Sequence, residues 1–244
     1  MQSLRRPDRY PRSNKYDPAW VLELDMGPHP LWQLEDLLPA LRLRPGDRVL
    51  DLGCGRRATS VFLARELGVH VVAVDRWVAE PQLQADLHAA GVADRVDVLQ
   101  ADARQLPFDD AAFDAIVSID AFEYFGTDVH FLPHLLRALR PGGRIGVSTP
   151  ALGADPYVDA PPGPVAALVG WEAAAWHSPA WWHTHWELTG LLTDVTAVMQ
   201  PGSRDDWIIW AREVDDSPLL TMLTSMAPGQ IGFALVTATK PTEP

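Results

Sequence analysis

Asp75 closes the apolar run "VVAVD" and Asp102 closes "VLQAD"; both follow the glycine pair of "VLDLGCGRR", residues 49–57. Gly53 and Gly55 let the backbone turn tightly and let a ligand approach where a Cβ would block it. A carboxylate some 20 residues beyond such a turn is placed to accept hydrogen bonds from both hydroxyls of a ribose. Asp75 lies 22 positions after Gly53. Asp102 is then a candidate acceptor for the exocyclic amine of an adenine.

The spacing separates two ligand classes. A dinucleotide needs a pyrophosphate cradle, normally G-x-G-x-x-G at a helix N-terminus. Here Gly53 and Gly55 run into Arg56, Arg57 and Ala58, and Asp51 would bring a carboxylate near the pyrophosphate. An adenosine with a cationic or zwitterionic end suits the stretch better, and S-adenosylmethionine has both. Arg57 stands where a third glycine is common. Its side chain is expected in solvent, the alternative being reach toward the ligand's carboxylate.

A second group of residues offers proton chemistry. "DAFEYF" places Asp120, Glu123 and Tyr124 after an apolar run. Asp120 or Glu123 is a candidate to orient an amino group or a second substrate, or else is a carboxylate bonded to helix-start N–H groups. "WHSPAWWHTHW" carries His177, His183 and His185. His183 and His185 are two apart and diverge on a helix, so no metal site is expected. One of them is a candidate base, or a histidine among tryptophans. Methyl transfer, the chemistry of a sulfonium donor, is an in-line displacement. Alignment of the reactants supplies much of its rate, and a base is needed only where the nucleophile must lose a proton.

The elements that position these residues alternate. "RVLDL", "VHVVAVD", "RVDVLQAD", "FDAIVSID" and "RIGVST" read as strands. "ATSVFLARELG", "EPQLQADLHAAGV" and "VHFLPHLLRALRPGG" read as helices between them, the last closed by Pro141-Gly142-Gly143. Strand and helix in alternation indicate a parallel α/β sheet with helices on both faces. Leu31, Leu34, Leu38 and Leu41 mark an earlier helix at helical spacing. After Pro150 comes a proline- and glycine-rich loop. "SPAWWHTHWELTGLL" then opens on a Ser cap with Pro at the first helical position. "TDVTAVMQ", "SRDDWIIWAREV" and "IGFALVTATK" read as strand, helix and last strand.

Composition sets outer bounds. The chain has 244 residues and a formal net charge of −12, which disfavours nucleic acid as a partner. A single cysteine, Cys54, excludes an internal disulfide and fits a reducing compartment. No apolar run reaches the length of a membrane span. A cytoplasmic protein is expected, of oligomeric state that composition leaves open.

Taken together, these motifs resemble the class I S-adenosylmethionine-dependent methyltransferases acting on small molecules. "VLDLGCG" is similar to their first motif, Asp75 to the ribose-binding acid, "AD" at 101–102 to the adenine motif, and "LRPGGRIGVS" to the turn and fifth strand. The resemblance covers roughly residues 45–150. It implies a doubly wound, Rossmann-like, mostly parallel seven-stranded sheet whose last strand is antiparallel and inserted between its neighbours, flanked by an N-terminal helical segment and a C-terminal aromatic cap. The implied divisions are residues 1–44 as arm and lid, 45–150 as cofactor-binding core, 151–190 as cap over the acceptor pocket, and 191–244 as completion of the sheet. Asp51, Gly53, Gly55, Asp75, Arg76, Asp102, Ala103 and Asp120 are the implied cofactor set; His183, His185, Glu123 and Tyr124 are the catalytic candidates. Trp171, Trp176, Trp181, Trp182 and Trp186 are of the kind that most often packs a core, here a helical cap, but they also fall where relatives build the acceptor pocket. Aromatic walls would suit a flat, apolar or amine acceptor. A protein of this fold using the cofactor in another reaction, or a non-catalytic binding module, is the alternative.

Overall fold

The structure, a computed structural model, describes residues 1–24, 26–78, 85 and 87–242. The helix expected over residues 80–92 lies largely outside these, although residues 87–89 are helical and Gly91 turns with φ +68°. Two helices, α1 (Pro18–Glu23) and α2 (Pro30–Leu41), precede the sheet. There follow β1 (Arg48–Leu52), α3 (Ala58–Leu67), β2 (His70–Asp75), β3 (Val96–Gln100), β4 (Phe113–Ile119), α4 (Phe131–Arg137) and β5 (Leu139–Leu152). The remainder gives α5 (Gly163–Val169), α6 (Pro179–Glu187), β6 (Thr193–Met199), α7 (Ser203–Glu213), α8 (Ser217–Ser225) and β7 (Ile231–Thr239).

Seven strands form one sheet in the order β3-β2-β1-β4-β5-β7-β6. β7 is antiparallel to both β5 and β6 and sits between them, so the other six run parallel. Alternate strand residues serve opposite faces, as a pleat requires. Val49, Val71, Ala73, Ala115 and Val117 join the core under α2 and α3. Leu50, Val72, Val74, Ile116, Ile145 and Val147 join the core under α4 and α6. Both faces are covered, which accounts for the unbroken apolar reading of the central strands.

Two boundaries differ from the sequence expectation. α4 stops at Arg137, and Pro141-Gly142-Gly143 lies inside β5 instead of closing a helix. Leu139 is fully buried and pairs with Phe113, and the register slips before Arg144 pairs with Ala115. Burying that leucine at the sheet margin outweighs the turn tendency of Pro-Gly-Gly. Lys240 Nζ donates to Leu136 O in the last turn of α4 and to Leu139 O at the start of β5, both at 2.7 Å. At its other end β5 continues to Leu152, because Pro150, Ala151 and Leu152 pair with β7. α8 was not foreseen, although Asp216 caps it by accepting the Leu219 N–H at 2.9 Å and Pro218 occupies its first turn.

Candidate functional site

A cavity of about 370 Å³ opens at the carboxyl ends of β1 to β4, a usual volume for a small-molecule site. β1 has β2 on one side and β4 on the other, so the cavity stands where strand order reverses. Its floor is Leu52 to Gly55. Val74 to Trp77 form one wall, Ala101 to Arg104 another, and Ile119, Asp120, Ala121, Tyr124 and Phe125 a third. Leu24, Met26, Gly27, Pro28 and Pro30 cover it from the N-terminal side.

The glycine loop is folded onto the tip of β2. The N–H groups of Gly53 and Cys54 donate to Val74 O at 2.8 and 3.1 Å. Gly53 has φ +74°, and a Cβ there would lie 2.4 Å from the Ala121 Cβ; only glycine meets both demands. Asp75 Oδ2 accepts the Gly55 N–H at 2.9 Å and Oδ1 accepts the Trp77 N–H at 2.8 Å. Each carboxylate oxygen retains a second lone pair. Asp102 Oδ1 accepts the Arg104 N–H at 2.9 Å, and Arg76 approaches Oδ2 at 3.3 Å. Asp120 also lines the cavity and has φ +54°, a left-handed backbone that a non-glycine residue keeps only when its surroundings impose it. Its N–H donates to Ser148 O at 2.8 Å, and a Cβ on Gly27 would lie 2.0 Å from its Oδ2.

Of the candidate cofactor set, the structure gathers Gly53, Gly55, Asp75, Arg76, Asp102, Ala103 and Asp120 around one space. Asp51 is placed elsewhere. It is fully buried beneath the loop, where Oδ2 accepts the hydroxyls of Thr59 and Ser60, each at 2.6 Å. Burial pushes its pKa up to about 6. Its position lets it hold the first turn of α3, which would explain an acid at this point of the motif without ligand contact.

Arg57 also departs from expectation. Its side chain is 2% exposed, not in solvent, and its backbone has φ +67°. The left-handed turn that usually selects glycine is therefore made by an arginine at the N-cap of α3.

The catalytic candidates divide. Tyr124 lines the cavity, half exposed; its pKa is raised to about 12 by burial and then by Glu123, Asp120 and Glu172. Glu123 lies behind it, buried, with Oε2 accepting the Thr149 hydroxyl at 2.8 Å. Burial raises its pKa to about 7. The two histidines do not reach the cavity. His183 is 3.6 Å from Glu187 one turn along α6. His185 stacks on Trp181 with centroids 4.4 Å apart and bonds Gly126 O at 3.1 Å. Helical spacing sends one to the outer face and ties the other to the loop after β4.

The tryptophans do not wall the cavity either. Trp182 and Trp186 are buried against Phe122 in the core beneath α6, while Trp176 packs on Trp207. Trp181 stacks on His177, whose Nδ1 is 2.9 Å from Asp155. Trp171 is exposed. The aromatic lining comes instead from Trp77, Tyr124 and Phe125. Trp77 was missed; its only signal was its place two residues beyond Asp75. In the N-terminal segment, Tyr16 and Trp32 are core residues, while Met26 covers the glycine loop, with Sδ 3.1 Å from where a Gly55 Cβ would stand. The segment is thus both packing and cover. Among the described residues no cluster of His, Cys, Asp and Glu could hold a metal, and no helix is long and apolar enough to cross a membrane.

A cradle that a Cβ would fill and two carboxylates with spare lone pairs fit an adenosine carrying a cationic tail. Comparison with known proteins agrees with that chemistry. The family described as methyltransferase domain matches residues 49–143. The chain is 36% identical over 172 residues to the demethylmenaquinone methyltransferase of Clavibacter sepedonicus, covering 67% of this chain and 68% of that protein. It is 34% identical over 118 residues to the 27-O-demethylrifamycin SV methyltransferase of Amycolatopsis mediterranei, covering 47% of this chain but only 42% of that one. The fold is shared with the geranyl diphosphate C-methyltransferase of Streptomyces coelicolor A3(2), at 21% identity, a TM-score of 0.68, and coverage of 85% of this chain and 78% of that.

Proposed function

The chain belongs to the class I S-adenosylmethionine-dependent methyltransferases, and from that membership we propose that it moves a methyl group from S-adenosylmethionine to a small-molecule acceptor. One observation carries the reading: Asp75, Asp102 and Asp120 converge with the glycine loop on a single cavity. Bound there, the cofactor supplies a methyl group on a cationic sulfur.

The chain's own residues have three tasks. Asp75 accepts the ribose hydroxyls while its backbone bonds keep the carboxylate from turning. Asp102 accepts from the purine amine, with Arg76 and Ala103 beside it. Asp120 faces the charged tail, where a carboxylate favours the ammonium and sulfonium. Gly53 and Gly55 keep the floor clear. Catalysis then follows from alignment, the cover formed by Leu24, Met26, Gly27, Pro28 and Pro30 helping to exclude water.

The acceptor meets the cavity on the side of Tyr124. The relatives' named acceptors differ widely: a demethylmenaquinone and a demethylrifamycin. They support a small molecule and leave the methylated atom open. Methyl-labelled cofactor incubated with the full chain and a panel of quinols, phenols and amines tests the assignment. Label in a product supports transfer; binding of S-adenosylhomocysteine with no product across the panel favours another use of the same fold.

A further inference from the structure

Trp77 and Tyr124 stand at the open side of the cavity. Trp77 follows β2 and Tyr124 follows β4, with β1 between those strands. The two side chains therefore meet in front of the glycine loop. Their ring centroids are 6.4 Å apart and their planes cross at 81°, an edge-to-face pair. Both line the cavity, yet they are 67% and 51% exposed.

Their backbones are pinned. The Trp77 N–H is held by Asp75 at 2.8 Å, and Tyr124 O accepts the Arg104 guanidinium at 2.8 Å. A fixed backbone carrying an exposed ring that packs edge-to-face on a second exposed ring leaves rotation of the side chain as the easy motion. Met26, Gly27 and Pro28 cover another side, with Met26 close over Gly55. The exposed Trp77–Tyr124 pair lines the same cavity as Asp75 and Asp102.

We infer that the Trp77 indole is a gate to the cofactor cavity and that the Tyr124 ring is the post on which it closes. The inference rests on the reading of the cavity as an S-adenosylmethionine site. Closed, the gate holds a bound nucleoside; open, it admits one. Exposed edge-to-face pairs are weak, so the closed form is favoured only a few-fold and slows entry by that factor.

Surface plasmon resonance of the immobilised full chain with S-adenosylhomocysteine in flow tests this. Trp77→Ala is expected to raise the association rate constant roughly two- to tenfold and to raise dissociation at least as much. Trp77→Phe, which keeps a ring, is expected to fall between it and the unchanged chain. A Trp77 that is only wall would leave association unchanged and speed dissociation alone; that result, or unchanged rates in both variants, overturns the gate while leaving the site intact. An unchanged chain with no affinity for S-adenosylhomocysteine overturns the site reading and the gate with it. Matching circular dichroism melts establish that the variants are folded, as expected for so exposed a side chain.

Discussion

The Asp75 carboxylate ties the glycine loop to the tip of β2: Oδ2 accepts the Gly55 N–H at 2.9 Å while Oδ1 takes the Trp77 N–H at 2.8 Å. One side chain thus shapes the floor and one wall of the cavity and offers its remaining lone pairs to a ligand. Asp75→Ala removes the loop anchor and the proposed ribose acceptor together. Hydrogen bonds to a charged group are worth about 1.5–3 kcal/mol each, so two lost ribose bonds should weaken S-adenosylhomocysteine binding about 100-fold or more. Calorimetry checks it, and an affinity within about threefold of the unchanged chain would count against the ribose assignment.

Arg57 makes a left-handed turn with a buried side chain. Its removal therefore has two opposed parts: lost packing, and relief of backbone strain of about 1 kcal/mol if the replacement is glycine. Arg57→Ala loses the packing and keeps the strain. Arg57→Gly should be more stable than Arg57→Ala by about 1 kcal/mol in urea unfolding; the reverse order would mean that the turn is not left-handed in solution.

His183 faces outward beside Glu187, and its side chain is 40% exposed. His183→Ala should leave stability within about 0.5 kcal/mol and cofactor affinity unchanged. Turnover, once an acceptor is found, should also be unaffected. A large fall in turnover at constant affinity would return this histidine to the reaction.

Glu123 is a buried carboxyl whose pKa rises from 4.5 to about 7, chiefly through burial. Its folded form holds a proton that the unfolded chain releases between those values. Its stability contribution is therefore full below the unfolded pKa and is lost as pH rises through about 7. The amount at stake is on the order of 3 kcal/mol. Glu123→Gln keeps an acceptor for Thr149 without the charge, so thermal melts should show the variant gaining on the unchanged chain from about pH 5 to about pH 8. A gap that does not change with pH would mean that this carboxyl is ionised throughout.

β2 and β4 were legible because each carries a near-continuous apolar run closed by an acid, and burial on both faces leaves few other ways to read it. Asp75 was singled out by its spacing from the glycine turn and Asp102 by its place at the end of a strand. Asp51 was misassigned because its motif position says nothing of direction: a strand residue one pleat over points beneath the loop, not above it. For the histidines and tryptophans of α6 the sequence left core packing and a pocket role both open. Composition showed aromatic density, but helix phase put Trp182 and Trp186 into the core and His183 outside. Trp77 escaped notice because a loop residue has no periodicity to mark its face. β5 was clipped at both ends because proline and glycine are strong turn formers in isolation and weak ones against a paired strand.

The most direct measurement is a crystal structure of the full chain with S-adenosylhomocysteine. The expected result puts both ribose hydroxyls within about 3 Å of the Asp75 carboxylate, the purine amine beside Asp102, and the sulfur facing the Asp120 side of the cavity. A nucleoside bound away from these strand ends, or a cavity that stays closed at saturating ligand, would contradict the account.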